Sequence, residues 1–223
     1  APGSDMEKTI AERQSTVYFP GDKITMLPEN WIAAFSLDAG GYRPAVSIYF
    51  DVDADFNVSA PVCKIEAVNI VENLRIQAIE PHFNAQSGLD AEGAALFAHH
   101  RDLIWFYQLA IARQKARGKY EPERAAQYDY SIELASDGLV SVARRERGSP
   151  IDTLVSEMMI LANSTWAQML DQVGLPGLFR VQPAGKVRMS TQSEPHIGMG
   201  VQHYGWFTSP LRRAADYINQ KQL

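Results

Sequence analysis

Arg212 and Arg213, which follow Thr208-Ser209-Pro210-Leu211, are the residues whose type and spacing most directly suggest chemistry. Ser is a favoured helix N-cap and Pro suits the first helical position, so the stretch predicts a helix opening at Ser209-Pro210 with both guanidinium groups in its first turn. The start of a helix already carries partial positive charge, and cations there cost stability unless an anion joins them. A phosphate suits that arrangement, because backbone N–H groups and forked guanidinium donors can converge on its oxygens. The competing reading is an Arg212–Asp216 pair one turn apart beside a solvated Arg213, which is worth roughly a few tenths of a kcal/mol.

Other reactive side chains point to less. Asp51, Asp53 and Asp55 alternate along a strand-like stretch, which places them on one face; a solvated strand face explains them better than a metal site. His82, His99, His100, His196 and His203 show no metal-ligand spacing. There is no Gly-rich phosphate loop and no Gly-x-Ser-x-Gly elbow. The single cysteine, Cys63, reads as a packed thiol in a strand and excludes an internal disulfide framework. Tyr18 lies in a β-prone run and by itself reads as a core aromatic.

The elements that must position these residues are legible from pattern. Ser4 caps a helix over about Asp5 to Gln14 with acidic residues in its first turn. Ser15 to Phe19 is β-prone and turns at Pro20-Gly21. Ala45 to Asp53 and Val58 to Val71 read as two long paired strands around an Ala54–Asn57 turn. Apolar residues over Ala91 to Arg117, among them Leu96, Phe97, Leu103, Ile104 and Ile111, recur at helical spacing up to Gly118. Tyr128 to Leu134 and Leu139 to Ala143 flank a Ser136-Asp137-Gly138 hairpin turn. Ser149-Pro150-Ile151-Asp152 is a capping-box variant that opens a helix ending at Gly174. The pattern predicts an α+β fold.

Composition sets the limits of these readings. The 223 residues suffice for a substantial core, and 46% hydrophobic with 21% charged residues is ordinary for a globular protein. No apolar run is long enough for a membrane-spanning helix, and no secretory leader is recognisable, so a cytoplasmic location without a membrane partner is expected. A net charge of −5 argues against a general nucleic-acid binder but leaves room for a local basic channel. The first residue is not Met and no C-cap follows Gln222-Leu223; both ends are expected to be boundaries inside a larger protein.

Gly205-Trp206-Phe207-Thr208-Ser209-Pro210-Leu211-Arg212-Arg213 closely resembles the signature of RNB-type 3′→5′ exoribonucleases (the RNase II and RNase R family). Further blocks resemble that family in the same order: Thr16 to Pro20 with Met26-Leu27-Pro28, Phe35 to Leu37 with Arg43 to Ala45, Leu154 to Asn163, Pro176 to Arg180, and Pro195 to Gly200. The resemblance implies a single partial RNB catalytic domain over residues 1–223, built on a curved or barrel-like, mostly antiparallel sheet flanked by helices. It further implies removal of 5′-nucleoside monophosphates from the 3′ end of single-stranded RNA, with Mg²⁺ activating water and stabilising the leaving oxygen. Arg212 matches the arginine at the scissile phosphate, where a fixed charge offsets the charge developing in the transition state. Tyr18 matches the tyrosine packed against the terminal nucleotide, since a ring can stack on any base. Arg213, Glu157 and Tyr120 match or lie beside further RNA-contacting positions: Arg213 as a phosphate contact or supporting salt bridge, Glu157 near the ribose or as a surface carboxylate, and Tyr120 as a second clamp ring.

This sequence departs from the family at several of those positions. Ser156 replaces the first glutamate of a Glu-Glu pair, Ala214 replaces the tyrosine after the arginines, and Ala78 stands for another tyrosine. The resemblance also puts the metal-binding aspartates upstream of Ala1, so no metal site is expected within the chain and little hydrolysis is expected from this piece alone. The alternative is a non-catalytic RNA-binding or regulatory protein on a decayed RNB fold.

Overall fold

A computed structural model describes residues 3–83, 99–123, 125–135 and 137–223. Helix α1 spans Asp5–Arg13, with the Ser4 side chain accepting from Glu7 N as its cap. A small hairpin follows, β1 (Val17–Phe19) against β2 (Asp22–Ile24), turning at Pro20-Gly21, where Gly21 has a positive φ of 85°. Helix α2 (Glu29–Phe35) leads to the long hairpin of β3 (Gly41–Val52) and β4 (Val58–Ile70). The short α3 (Ile76–Ile79), α4 (His100–Ala116), and the hairpin of β5 (Tyr128–Leu134) and β6 (Val140–Glu146) come next. The long α5 (Pro150–Gln172), the β7–β8 hairpin (Phe179–Val181 and Arg188–Ser190), a 3₁₀ turn at Ile197–Met199 and α6 (Ala214–Gln220) complete the order.

The fold is α+β, as the pattern predicts. Among the described residues the strands form four antiparallel two-stranded sheets without barrel closure. The expected helix over Ala91–Arg117 is observed as α4; its part before His99, with Leu96 and Phe97, lies outside the described residues. Ser136 of the expected turn also lies outside them.

Two compact units divide the chain. The first holds Ala1–Asp53, Asn57–Asn73 and Ile160–Leu223; the second holds Ala54–Phe56 and Leu74–Met159. The first unit has two apolar clusters. One packs Trp166, Ala167 and Leu170 of α5 with Phe179, Val181 and Phe207, and Cys63 joins it as a packed thiol. The other packs Ile10, Met26 and Leu27 with Leu211, Ala214 and Tyr217, which ties α1 to α6. Burying each large side chain contributes roughly 1.5–3 kcal/mol. The second unit is centred on Ile79, Phe83, Leu103, Ile104, Ile151 and Leu154. There Ser149 caps α5 by accepting from Asp152 N at 3.3 Å, and Asp152 accepts from Gly148 N at 3.1 Å, a capping box reaching one residue further back than usual.

Candidate functional site

In the first unit the segment Gly205–Asp216 is held by buried polar side chains. Asn163 of α5 accepts from Phe207 N at 2.9 Å. Asn219 of α6 accepts from Leu178 N and donates to the carbonyls of Leu178 and Trp206, at 2.7–2.9 Å. Asp216 is fully buried; its Oδ1 accepts from Ser209 N and from Arg213 Nη2, both at 2.8 Å. Its other oxygen lies 2.7 Å from Arg213 Nε. The Arg213 guanidinium also lies 4.3 Å from the Trp206 ring centroid, and Arg180 of β7 lies 5.3 Å from the same ring. Arg213 is therefore a structural cation, neutralised by Asp216 and stacked on Trp206.

The same segment is stitched to residues 14–16. Thr16 N donates to Arg212 O at 3.0 Å, Ala214 N donates to Gln14 O at 2.8 Å, and Ser15 bridges Arg213. This pairing places Tyr18 beside Arg212. Both line a cleft of about 960 Å³ with Trp206, Ala214, Tyr217 and Lys221. Both also line a second cleft of about 700 Å³, whose wall includes Lys23, Phe35, Ser36 and Thr208. Tyr18 is 61% exposed rather than a core aromatic. Arg212 is exposed and, among the described residues, its side chain makes no ion pair.

The helix does not begin where Ser209-Pro210 predicts. Arg212 N and Arg213 N both donate to Ser209 O in a turn, and α6 starts only at Ala214. Arg213 is extended, at φ −143° and ψ 126°, because its backbone is drawn into the bridge with Ser15. The two arginines therefore do not occupy a first helical turn, and the helix-dipole argument for an anion fails. Asp216 pairs with Arg213 and not with Arg212, so the expected Arg212–Asp216 pair is corrected too. Among the described residues, Arg212 is the one of the two arginines without a carboxylate partner.

Glu157 and Tyr120 belong to the second unit. Glu157 is not a surface carboxylate; it is 3% exposed and accepts from Arg117 Nη2 at 2.5 Å. Tyr120 is 39% exposed, with Lys115 Nζ 5.0 Å from its ring centroid. Among the described residues no group of three or more His, Cys, Asp or Glu side chains is placed to hold a metal ion, and Asp53 instead caps its own turn through Asn57. These residues do not fit a Mg²⁺ site, and no step through the metal follows from this chain.

The RNB domain family model matches residues 1–188 and 184–223. The chain belongs to the RNB domain family. It is 26% identical to Exoribonuclease 2 of Glaesserella parasuis over 99% of its own length and 43% of that protein. In fold it is similar to Mycoplasma genitalium RNase R solved with double-stranded RNA (TM-score 0.84, 16% identity, 100% of this chain and 49% of that one). It is also similar to yeast Ssd1, a pseudonuclease (TM-score 0.73, 13% identity, 100% of this chain and 34% of that one). The chain spans less than half the length of the relative it matches. That alignment runs over 286 positions against the chain's 223 residues, so the relative holds residues within the shared stretch that this RNB chain lacks. The two family matches meet at residues 184–188, in the β7–β8 turn.

Sequence reasoning missed the residues that hold the Gly205–Asp216 segment: Asn163, Asn219, Asp216 and Trp206. The available signal was polarity at helical spacing, since Asp216 and Asn219 lie three residues apart on one face of α6 beside apolar Tyr217 and Ile218. Ser193, His203 and Asp171 also cluster, but Ser193 Oγ (2.9 Å) and Asp171 Oδ2 (3.5 Å) both approach His203 Nδ1. A nucleophile relay needs the two partners on opposite ring nitrogens, so this is no triad.

Proposed function

We propose that this chain supplies the 3′-end clamp and phosphate-binding arginine of an RNB 3′→5′ exoribonuclease, which releases 5′-nucleoside monophosphates from single-stranded RNA in the cytoplasm. The observation that carries the proposal is the backbone pairing of residues 14–16 with 212–214, which sets exposed Tyr18 and uncompensated Arg212 on one cleft wall. Tyr18 stacks on the terminal base without reading its identity. Arg212 holds the scissile phosphate, and its charge counts most when negative charge builds up in the transition state. Arg213 anchors the loop that carries Arg212 through Asp216 and Trp206; in the other unit, Tyr120 is proposed by the family resemblance as an RNA-contacting ring, and Glu157 holds Arg117 in place of a ribose contact. Mg²⁺ would be held by aspartates outside this chain and would supply activation of water there; the residues of this chain would contribute binding and positioning only.

The test uses the full-length protein that carries this chain, with single-stranded RNA and Mg²⁺. Mononucleotide release is expected. Arg212→Ala should lower turnover by about 10²-fold while RNA affinity changes far less, and Tyr18→Ala should alter the length of the limit product. Loss of affinity alone for Arg212→Ala, or an unchanged limit product for Tyr18→Ala, would remove those roles.

A second reading, a non-catalytic RNA binder, is favoured by Ser156, Ala78 and Ala214 at positions where the family carries Glu or Tyr, and by the likeness in fold to Ssd1. Tight RNA binding without mononucleotide release would decide for it.

A further inference from the structure

The β5–β6 hairpin of the second unit presents its apolar side to solvent. Successive strand residues point to opposite faces, and the register of the pair sorts them by chemistry. One face carries Asp129 and Glu133 with Arg145; the other carries Tyr128, Tyr130 and Ile132 with Arg144 and Val142. The polar face is the one tied down, because the Arg145 guanidinium hydrogen-bonds Glu80 and lies 2.9 Å from Asp152 of α5. The apolar face is open: Tyr130 is 64% exposed and Val142 62%. Antiparallel sheets ordinarily bury the apolar face and wet the polar one, and an apolar patch left on a surface marks a contact site.

Arg144 gives this face a charge. It stands directly opposite Tyr130 and reaches diagonally across the ladder to Tyr128, with its guanidinium 4.4 Å from that ring's centroid. Stacking fixes the guanidinium plane and leaves its forked N–H donors open. The neighbouring arginines are committed, Arg145 to Glu80 and Asp152, and Arg147 to Asp129 at 3.4 Å. Among the described residues Arg144 makes no ion pair and no hydrogen bond, and it is exposed. Its charge selects the occupant: an apolar protein face would strand an unpaired guanidinium, whereas a phosphate neutralises it. An exposed ring beside an open guanidinium also suits a single strand, since a ring accepts the face of any base. We propose that the outward face of the β5–β6 hairpin is a binding surface for single-stranded RNA, with Tyr130 stacking on a base and Arg144 holding a phosphate. The assignment rests on the RNA-binding reading above and uses other residues.

The experiment measures anisotropy of a fluorescein-labelled oligoadenylate across a salt series, with melting temperatures, for the full-length protein and its variants. Tyr130→Leu keeps an apolar side chain but removes the ring, and should weaken binding about 5-fold; Tyr130→Phe keeps the ring and should bind like wild type. Arg144→Gln should weaken binding about 5-fold and reduce the slope of log affinity against log salt by about 0.7, one phosphate contact on a single strand. Glu146 lies opposite Tyr128 on the same face, so Glu146→Gln removes a repelling charge and should tighten binding. These side chains are exposed, and melting temperatures should stay within about 2 °C of wild type. Unchanged affinity and slope in Arg144→Gln, or equal binding by Tyr130→Leu and wild type, would overturn the assignment. If either variant melts lower, Glu146→Gln decides: tighter binding supports the surface, and unchanged binding refutes it. A protein that releases mononucleotides while its affinity ignores Tyr130 and Arg144 keeps the reading above and discards this surface. A wild type that does not bind the oligonucleotide refutes both. Self-association in sedimentation that Val142→Lys abolishes, with RNA affinity unchanged, would give the face to a second copy of the chain and overturn the assignment.

Discussion

Removing the Asp216 carboxylate tests whether the loop that presents Arg212 is held as described. Asp216 is fully buried, and its oxygens meet Ser209 N, Arg213 Nη2 and Arg213 Nε at 2.7–2.8 Å. Breaking a buried ion pair from one side costs about 3–5 kcal/mol, because the surviving charge stays desolvated. The Arg213 side chain is 22% exposed and can recover some water, which puts Asp216→Ala at the lower end, about 3 kcal/mol. For a chain of this size that is a fall of about 6–12 °C in melting temperature. Asp216→Asn keeps an acceptor for Ser209 N and should lose less, about 1.5–3 kcal/mol for the charge-assisted bonds to Arg213. Urea unfolding followed by circular dichroism gives both values. A cycle with Arg213→Ala isolates the pair, and a coupling of about 1–3 kcal/mol is expected. An Asp216→Ala protein within about 1 kcal/mol of wild type, or a cycle additive within about 0.5 kcal/mol, would refute the brace.

Two further outcomes follow from other contacts. At Gly205 an added Cβ would lie 2.7 Å from Phe207 Cε2, and Phe207 is fully buried, so Gly205→Ala should destabilise by about 1–3 kcal/mol; a calorimetric melting temperature equal to wild type would show that Phe207 yields freely. In the second unit the Arg145 guanidinium hydrogen-bonds Glu80 and holds its carboxyl below the ordinary range, with Ser149 assisting and burial opposing. A depressed folded-state value adds stability above the unfolded value, about pH 4.3, and loses it as pH falls through the folded one. Stability should thus be flat above about pH 5 and decline below about pH 4. Glu80→Gln should flatten the decline while costing about 1 kcal/mol or less at neutral pH, since these side chains are 26% and 35% exposed. An identical acid profile for wild type and Glu80→Gln in hydrogen exchange of β5 and β6 would refute the link.

What the sequence made legible were features whose causes lie within a few residues. The Ser4 cap, the Ser149–Asp152 box, and the alternation that marks β3 and β4 each depend on neighbours in the chain, and each is observed close to its expected place. The start of α6 went the other way for the same reason. Ser209-Pro210 is a sound local cap signal, but Ala214 N and Arg212 O are engaged by Gln14 and Thr16, some two hundred positions earlier. Those tertiary pairings hold Arg213 extended and delay the helix. Glu157 repeats the lesson: its spacing along α5 is compatible with a surface position, and Arg117, at the end of a different helix, makes burial tolerable.

The candidate site is built almost wholly from contacts of this second kind. Which arginine is free cannot be read from Arg212-Arg213 as letters, since both flank the same turn and either could reach Asp216. The extended backbone at Arg213 settles it by turning that side chain inward onto Asp216 and Trp206. Arg212, one residue earlier, is left exposed on the cleft wall. The proposed anion site at Arg212 therefore draws on exposure and the neutralisation of its neighbour, not on a helix start. A phosphate would be held by an uncompensated guanidinium whose neighbour has been neutralised, and exchanging the roles of the two arginines would require breaking the Gln14–Thr16 pairing that also places Tyr18.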